Sequence, residues 1–194
     1  MSPIIYLAVT VVVLVVTCPV NSNGFSCPKV PTNDTVDLEA YMGTWYQIAT
    51  NAAFQKKFEK GLVCETAEYT LEPSGTVKVN NSGRIDSVSG PLKSAIGKAV
   101  QVSGGKLKVS FFLDIFGPYW ITQLYGDAAS GYSVAVIWSC EEKFGIGERD
   151  LWILSRTPQL PADLQPAHLY DVARGMGIDV ESLDMVPTLQ AGCW

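Results

Sequence analysis

Apolar and polar residues alternate in short segments between positions 45 and 156, and clusters of Gly, Ser, Pro or Asn separate these segments. A period of two is typical of β-strands that bury one face, and abundant Val, Ile, Tyr, Phe and Trp favour the same structure. The pattern predicts an all-β fold, an eight-stranded antiparallel up-and-down β-barrel of the size that closes around one small molecule. The predicted strands cover residues 45–51, 63–71, 76–82, 86–100 with a break, 106–112, 119–125, 132–138 and 150–156.

A different period follows the last predicted strand. Apolar residues recur at helical spacing between Leu164 and Met176, after two prolines, and Gly177 would end the helix. The predicted strands 132–138 and 150–156 are apolar on both faces. We therefore expect one C-terminal α-helix to flank the barrel and to cover the outer face of these two strands.

Alternation also predicts which side chains point into the barrel, because successive residues of a strand face opposite sides. In the third predicted strand, Val77, Val79 and Asn81 share one face, whereas Asn80 faces solvent. The other predicted inward residues are Ala67, Tyr69, Leu71, Leu107, Val109 and Phe111, with Glu65 near a strand end.

Composition and charge narrow the class of protein. The 194 residues are 47% hydrophobic and 17% charged, which fits one well-packed globular domain. The formal net charge is -5 and the basic cluster Lys56, Lys57 and Lys60 is interrupted by apolar and acidic residues, so a nucleic acid is not an expected partner. We interpret these lysines as a solvated loop rather than as a clamp for a carboxylate.

The chain begins with an apolar segment that ends at Val16 and contains no acidic residue. The segment is shorter than the roughly 20 residues of a membrane span, and small residues follow it, as signal peptidase requires. We predict a signal peptide at residues 1–22, a single domain at residues 23–194, and a secreted, extracellular protein. A lipidated Cys18, as in bacterial lipoproteins, is the alternative, and the lack of upstream Lys and Arg disfavours it.

Four cysteines remain after the predicted signal peptide, an even number that favours two disulfides in an oxidising compartment. Their spacing leaves three pairings open and matches no zinc motif, and we predict neither a metal site nor a cofactor. Two sequons at Asn33 and Asn80 are candidate glycosylation sites in a secreted protein. The four cysteines are Cys27, Cys64, Cys140 and Cys193.

Two segments at the ends of the predicted barrel point to a known family. Gly43-Thr44-Trp45-Tyr46 opens the first strand, and Leu151-Trp152-Ile153-Leu154-Ser155-Arg156-Thr157-Pro158 completes the last. With the order of the cysteines and Pro118-Tyr119-Trp120-Ile121 between them, they resemble the lipocalin family, in particular the branch of apolipoprotein D and the bacterial lipocalins. The resemblance extends over nearly the whole mature chain.

The resemblance implies structural roles at the closed end of the barrel. Trp45, after Gly43, would plug that end, and the Arg156 guanidinium would lie across the Trp45 ring in a cation-π contact. It also implies that the disulfides join Cys27 to Cys140 and Cys64 to Cys193.

The resemblance further implies a ligand site at Tyr69, Asn81 and Trp152, to which strand alternation adds Leu154 and Phe111. The long loop 51–61 carries Phe54 and Phe58, which would contact a ligand or a membrane. Apolar walls with few polar groups suit a fatty acid, a sterol or a similar lipid. The expected function is that of a secreted carrier of one small lipophilic ligand, with possible peripheral contact to a membrane or lipoprotein.

Two other functions stay open at the level of sequence. A carrier of a bilin or carotenoid pigment would use the many aromatic residues for stacking. An enzyme that metabolises lipids on the same barrel would need a free thiol, and the predicted disulfides leave none, so no enzymatic activity is expected. The single histidine, His168, lies in the predicted helix, where it suits neither haem ligation nor a Ser-His-Asp triad.

Overall fold

The computed structural model describes residues 26–143 and 146–194; the predicted signal peptide and Cys18 lie outside the described residues. The described strands form one nine-stranded sheet in the order β2-β3-β4-β5-β6-β7-β8-β1-β9, and β1 pairs with both β8 and β2, which closes the sheet. Each of these pairings is antiparallel, so the predicted barrel is confirmed. The strands are β1 (Gly43–Asn51), β2 (Leu62–Leu71), β3 (Val77–Ile85), β4 (Leu92–Ser103), β5 (Lys106–Ser110), β6 (Gly117–Asp127), β7 (Gly131–Lys143), β8 (Ile146–Ser155) and β9 (Met185–Pro187).

The extra strand, β9, was not predicted from the sequence. The first half of β1 pairs with β2, and residues Ala49 to Asn51 pair with β9 on the same edge. A bulge in β2 at Cys64, which has a φ of 60°, turns that strand away from the second half of β1. The C-terminal segment fills the gap, where the Gln190 amide donates to the carbonyls of Gln47 and Glu65, both at 2.8 Å.

Three α-helices and a 3-10 helix accompany the described strands: α1 (Leu38–Tyr41), α2 (Ala52–Phe58), α3 (Pro166–Gly175) and the 3-10 helix Glu181–Leu183. The predicted flanking helix is α3, which begins two residues later than expected because Pro166 occupies its first turn, where a missing N–H costs nothing. Leu169 and Ala173 of α3 pack with Val136 and Ile153 on the outside of the barrel. The helix therefore covers one face of β7 and β8, as the two-sided apolar pattern predicts. None of the described helices is long and apolar enough to cross a membrane.

Two local predictions were wrong. Residues 86–91 form the turn between β3 and β4 rather than the start of a strand. Asp86 adopts a left-handed φ of 61°, and the backbone at Gly90 passes so close to Ile85 that a Cβ there would lie 1.9 Å from the Ile85 carbonyl oxygen. The predicted loop 51–61 contains the helix α2, which has only seven residues and therefore shows little helical periodicity in the sequence.

Candidate functional site

The barrel encloses a cavity of about 490 Å³. Its deep wall is apolar and comes from inward residues of β2 to β5, among them Val77, Val79 and Leu107. Partly exposed residues of α2 and of the segment after β5 also border it, including Phe58 and Phe111, so the cavity opens at the end where those segments lie. An apolar chamber with one mouth is the geometry of a small-molecule binding site.

The closed end is held by Trp45 and Arg156. The Trp45 ring is fully buried, and the centre of the guanidinium lies 4.0 Å from the centroid of that ring. The guanidinium also donates to the carbonyls of Thr44 at 2.8 Å and Met42 at 2.7 Å, and the Trp45 indole N–H donates to the Tyr41 carbonyl at 2.9 Å. These bonds tie α1 across the base of the barrel.

A chain of three tyrosine hydroxyls lies just above this base. The Tyr119 hydroxyl is 2.8 Å from that of Tyr41 and 2.9 Å from that of Tyr69. Burial raises the pKa of Tyr69 to about 12, and it also raises the pKa values of Tyr41 and Tyr119 well above their ordinary value. All three residues border the cavity, so they offer neutral hydroxyl groups to whatever reaches its floor.

Aromatic side chains line the mouth. The Phe54 ring of α2 packs edge-on against the Trp152 ring, with centroids 4.8 Å apart, and against Phe58 at 5.0 Å. The three side chains border the cavity, and Phe54 and Phe58 come from α2 whereas Trp152 comes from β8. The helix α2 thus forms part of the wall at the open end of the cavity.

Carboxyl groups also border the upper part of the cavity. Burial raises the pKa of Glu59 to about 7, and those of Glu65 and Asp150 to about 6. The Gln47 amide donates to Glu59 at 2.8 Å, and the Asn51 amide donates to Asp150 at 3.3 Å. This acidic region, formed by Glu59, Glu65 and Asp150, contrasts with the apolar wall below it.

All seven residues predicted to contact a ligand border the cavity: Phe54, Phe58, Tyr69, Asn81, Phe111, Trp152 and Leu154. The Asn81 side-chain oxygen is buried without a hydrogen-bond partner in the structure, which leaves it available to a ligand. Contact with a ligand remains a prediction for each of the seven. Of the three predicted loop lysines, none borders the cavity: Lys57 pairs with Glu148 at 2.6 Å, and Lys56 and Lys60 border a separate surface depression.

The two disulfides join Cys27 to Cys140 and Cys64 to Cys193, the pairing that the resemblance implies. The first connects the N-terminal segment to β7, and the second anchors the C-terminal segment to the β2 bulge. The sequon residue Asn33 is partly buried and its backbone bonds to Ile121 and Gly105. Asn80 points away from the interior but its side-chain oxygen is buried, so it is less exposed than predicted. Glycosylation of either residue remains a prediction.

A family model for the lipocalin-like domain matches residues 36–188, from α1 to β9. The chain is a lipocalin. It is 35% identical to apolipoprotein D of Mus musculus over 172 residues, an alignment that covers 86% of this chain and 84% of that protein. It is 32% identical to the outer membrane lipoprotein Blc of Vibrio cholerae over 178 residues, which cover 88% of this chain and 95% of that protein. Lipocalins as a family bind small hydrophobic ligands.

Solved structures confirm the fold of this lipocalin. Insecticyanin from the tobacco hornworm Manduca sexta superposes with a TM-score of 0.64 at 20% identity, over 84% of this chain and 85% of that chain. Lobster apocrustacyanin A1 superposes with a TM-score of 0.62 at 20% identity, over 84% of this chain and 91% of that chain. At this level of identity the similarity supports the barrel fold and says nothing about which ligand the cavity binds.

Several site residues of this lipocalin were missed by the sequence reasoning. Tyr41 and Tyr119 complete the tyrosine chain, but α1 has only four residues and gives no periodic signal. Glu59 follows α2 outside any strand, so alternation does not apply to it. Asp150 lies within β8 in phase with Trp152 and Leu154, and this shared phase is the signal that could have identified it. The inward position of Glu65 was predicted by alternation, but its burial was not.

Proposed function

We propose that this lipocalin binds one small hydrophobic molecule in its barrel and carries it outside the cell without transforming it. The observation that supports this most directly is the apolar cavity of about 490 Å³, which is closed at the Trp45 end and open beside α2. Burial of apolar ligand surface at about 25 cal/mol per Å² would supply the affinity, and the few polar groups of the wall would orient the ligand.

Extracellular location is part of this proposal and is supported by the two disulfides. Disulfides that join distant segments persist in oxidising compartments. Immunoblotting of the culture medium, with and without a reducing agent, would test secretion and disulfide formation together. A protein found only inside the expressing cells would contradict this part of the proposal.

The carrier role is tested by native mass spectrometry of the purified protein, combined with extraction of bound molecules and an absorbance spectrum of the same sample. The expected result is one small lipophilic molecule per barrel. Absorbance in the visible range would instead identify a pigment. A barrel that contains no molecule and binds none of a panel of fatty acids, sterols, alcohols and amines would contradict the proposal.

Tryptophan fluorescence locates the ligand. Trp152 borders the cavity, whereas Trp120 packs with the cluster on the outside of the barrel. If the ligand enters the cavity, the Trp152→Phe variant should lose most of the fluorescence change on ligand addition, and the Trp120→Phe variant should keep it. The opposite result would place the ligand on the outer surface.

Peripheral contact with a membrane or lipoprotein remains a prediction, for which the structure offers a candidate surface. Phe112, Leu113 and Ile115 lie between β5 and β6 with 68%, 77% and 60% of their surface exposed. This segment lies at the same end of the barrel as the cavity mouth, next to Phe111. Flotation with phospholipid vesicles, compared between the natural chain and a Leu113→Asp variant, would test the contact.

The absence of enzymatic activity also remains a prediction. The four cysteines among the described residues are all in disulfides, so the described barrel presents no thiol to its cavity. A thiol assay on the oxidised, purified protein would detect any free cysteine.

A further inference from the structure

The charge around the cavity is strongly asymmetric. Among the residues that the structure describes, five acidic residues and one basic residue border it: Glu59, Glu65, Glu141, Glu148, Asp150 and Lys93. The Glu148 carboxylate is already paired, because it lies 2.6 Å from the Lys57 ammonium. Even when Glu141 and Glu148 are both left out, Glu59, Glu65 and Asp150 outnumber the one described lysine at the cavity. A ligand with a carboxylate head would meet like charge at this end of the barrel.

Glu65 is the decisive residue. Only 5% of its surface is exposed, and neither carboxyl oxygen has a hydrogen-bond partner from another residue. A buried carboxyl group without a partner destabilises a fold, so such groups are normally paired. Glu65 borders the cavity from β2, and no other described residue bonds to its carboxyl group.

The neighbouring carboxyl groups are bonded to neutral amides, although the charge of Lys57 also acts to lower the pKa of Asp150. Among the described residues, Glu59 bonds to the neutral Gln47 amide and Asp150 to the neutral Asn51 amide, and neither forms an ion pair. All three carboxyl groups border the same cavity. Burial raises the pKa of Glu59, the Gln47 bond lowers it, and repulsion from Glu65 and Asp150 raises it further. A cation placed among them would lower the energy of all three ionised groups at once.

We propose that the cavity takes an amphipathic amine, whose cationic nitrogen binds the acidic region formed by Glu59, Glu65 and Asp150. The apolar tail of the ligand extends toward Val79 and Leu107. The assignment rests on the proposed carrier function and specifies the chemical class of its ligand. It differs from the fatty acid or sterol that the resemblance suggests, because carboxyl groups outnumber basic groups among the described residues that border the cavity.

Three probes with the same tail and different heads test the assignment: dodecylamine, dodecanol and dodecanoic acid. Each is titrated into the purified protein at neutral pH, below the concentration at which it forms micelles, and binding is followed by tryptophan fluorescence and calorimetry. The expected order of affinity is amine, then alcohol, then acid. Dodecylamine should exceed dodecanol by about tenfold or more, the range of a charge-assisted hydrogen bond.

Glu65→Gln and Glu68→Gln form a matched pair of variants. Both remove one negative charge from β2, but Glu68 is exposed on the outer face and does not border the cavity. Glu65→Gln should weaken dodecylamine binding by about tenfold and leave dodecanol binding within about twofold, whereas Glu68→Gln should change neither. An equal loss of both probes in Glu65→Gln would overturn the assignment of the nitrogen to this region.

The remaining outcomes separate the assignment from the carrier function. Dodecanoic acid that binds as tightly as dodecylamine would overturn the amine assignment and leave the carrier function intact. Failure of all three probes, with no co-purified molecule, would overturn both. If Glu65→Gln does not fold, calorimetry of the natural chain in buffers of different ionisation enthalpy measures the number of protons released on binding. Dodecylamine binding should release protons from the carboxyl groups, and dodecanol binding should not. Equal proton release with both probes would overturn the amine assignment.

Discussion

At the scale of single residues, Arg156 holds the closed end through bonds that a lysine cannot reproduce. Its guanidinium donates to five backbone carbonyls, those of Ala40, Tyr41, Met42, Thr44 and Tyr132, and also covers the Trp45 ring. Arg156→Lys keeps the charge but loses the planar fork of donors. We expect it to lower the free energy of unfolding by about 2 to 4 kcal/mol, measured by urea denaturation.

Arg174 provides the control for this prediction. Arg174 forms ion pairs with Asp171 and Glu181, but its side chain is exposed on α3. Because exposed ion pairs contribute little, Arg174→Lys should change the free energy of unfolding far less than Arg156→Lys does. Equal effects of the two substitutions would mean that the barrel base does not depend on the guanidinium geometry.

Tyr119 offers a second test at this scale, since its hydroxyl bridges those of Tyr41 and Tyr69. Tyr119→Phe leaves two hydroxyl groups without that partner in a buried region and should cost about 1 to 3 kcal/mol in unfolding free energy. Tyr125→Phe is the control, because Tyr125 packs on the outside of the barrel. A Tyr119→Phe protein as stable as the control would show that water or a ligand satisfies the two hydroxyls.

At the scale of elements, the Cys64–Cys193 disulfide fixes the C-terminal segment between β1 and β2. The sequence separation of the two cysteines is 129 residues, and such a bridge contributes about 4 to 5 kcal/mol in the chain-entropy model. In a Cys64→Ser, Cys193→Ser variant, the amides of β9 should lose protection in hydrogen exchange while those of β7 and β8 keep theirs.

Removal of the Cys27–Cys140 disulfide provides the control for this hydrogen-exchange experiment. A Cys27→Ser, Cys140→Ser variant frees the N-terminal segment from β7 but leaves the contacts of β9 in place. Its β9 amides should therefore exchange as slowly as in the natural chain. Loss of β9 protection in both variants would indicate that the whole barrel has been destabilised rather than one edge.

The same elements show which parts of the fold the sequence predicts. Strands β2, β3 and β5 follow from strict alternation, because each has one apolar face that must point inward. Strand β9 is not predictable in this way, since Met185, Val186 and Pro187 form no alternating pattern. They pair with β1 only because the bulge in β2 leaves that edge of β1 free. The turn at residues 86–91 depends on a left-handed Asp86, which local composition does not specify.

At the scale of the whole molecule, the sequence predicts the apolar wall of the candidate site but not its acidic region. Tyr69, Asn81 and Leu154 reach the cavity through regular strands, so alternation places them there. Glu59 follows α2 and Glu65 lies nearby in β2, whereas Asp150 comes from β8, and only the closed barrel brings Asp150 to the same cavity as the other two. Pairwise proximity of this kind is set by register and by bulges, which a single sequence leaves undetermined.

The convergence of these three carboxyl groups predicts how stability depends on pH. Their folded-state pKa values of about 7 for Glu59 and about 6 for Glu65 and Asp150 lie above the ordinary values of 4.5 and 3.8. The folded protein therefore holds these protons more tightly than the unfolded chain does. Their stabilising contribution is complete below about pH 4 and is lost as the pH rises through about 6 to 7. For Glu65, the loss is on the order of 2 kcal/mol.

Urea denaturation of the ligand-free protein between about pH 5 and pH 8 measures this loss in a window where ordinary carboxylates are already ionised. Two described groups of opposite charge act on the acidic region: Lys57 favours ionised Asp150, and Lys93 borders the cavity. The free energy of unfolding should fall across the window, and more shallowly in Glu65→Gln than in Glu68→Gln. A bound alkylamine should oppose the fall, because a cation favours the ionised carboxylates, and its affinity should rise with pH over the same range. Stability that rises toward pH 8 in the ligand-free protein would mean that the carboxyl groups are already compensated, which would remove the physical reason for a cationic ligand.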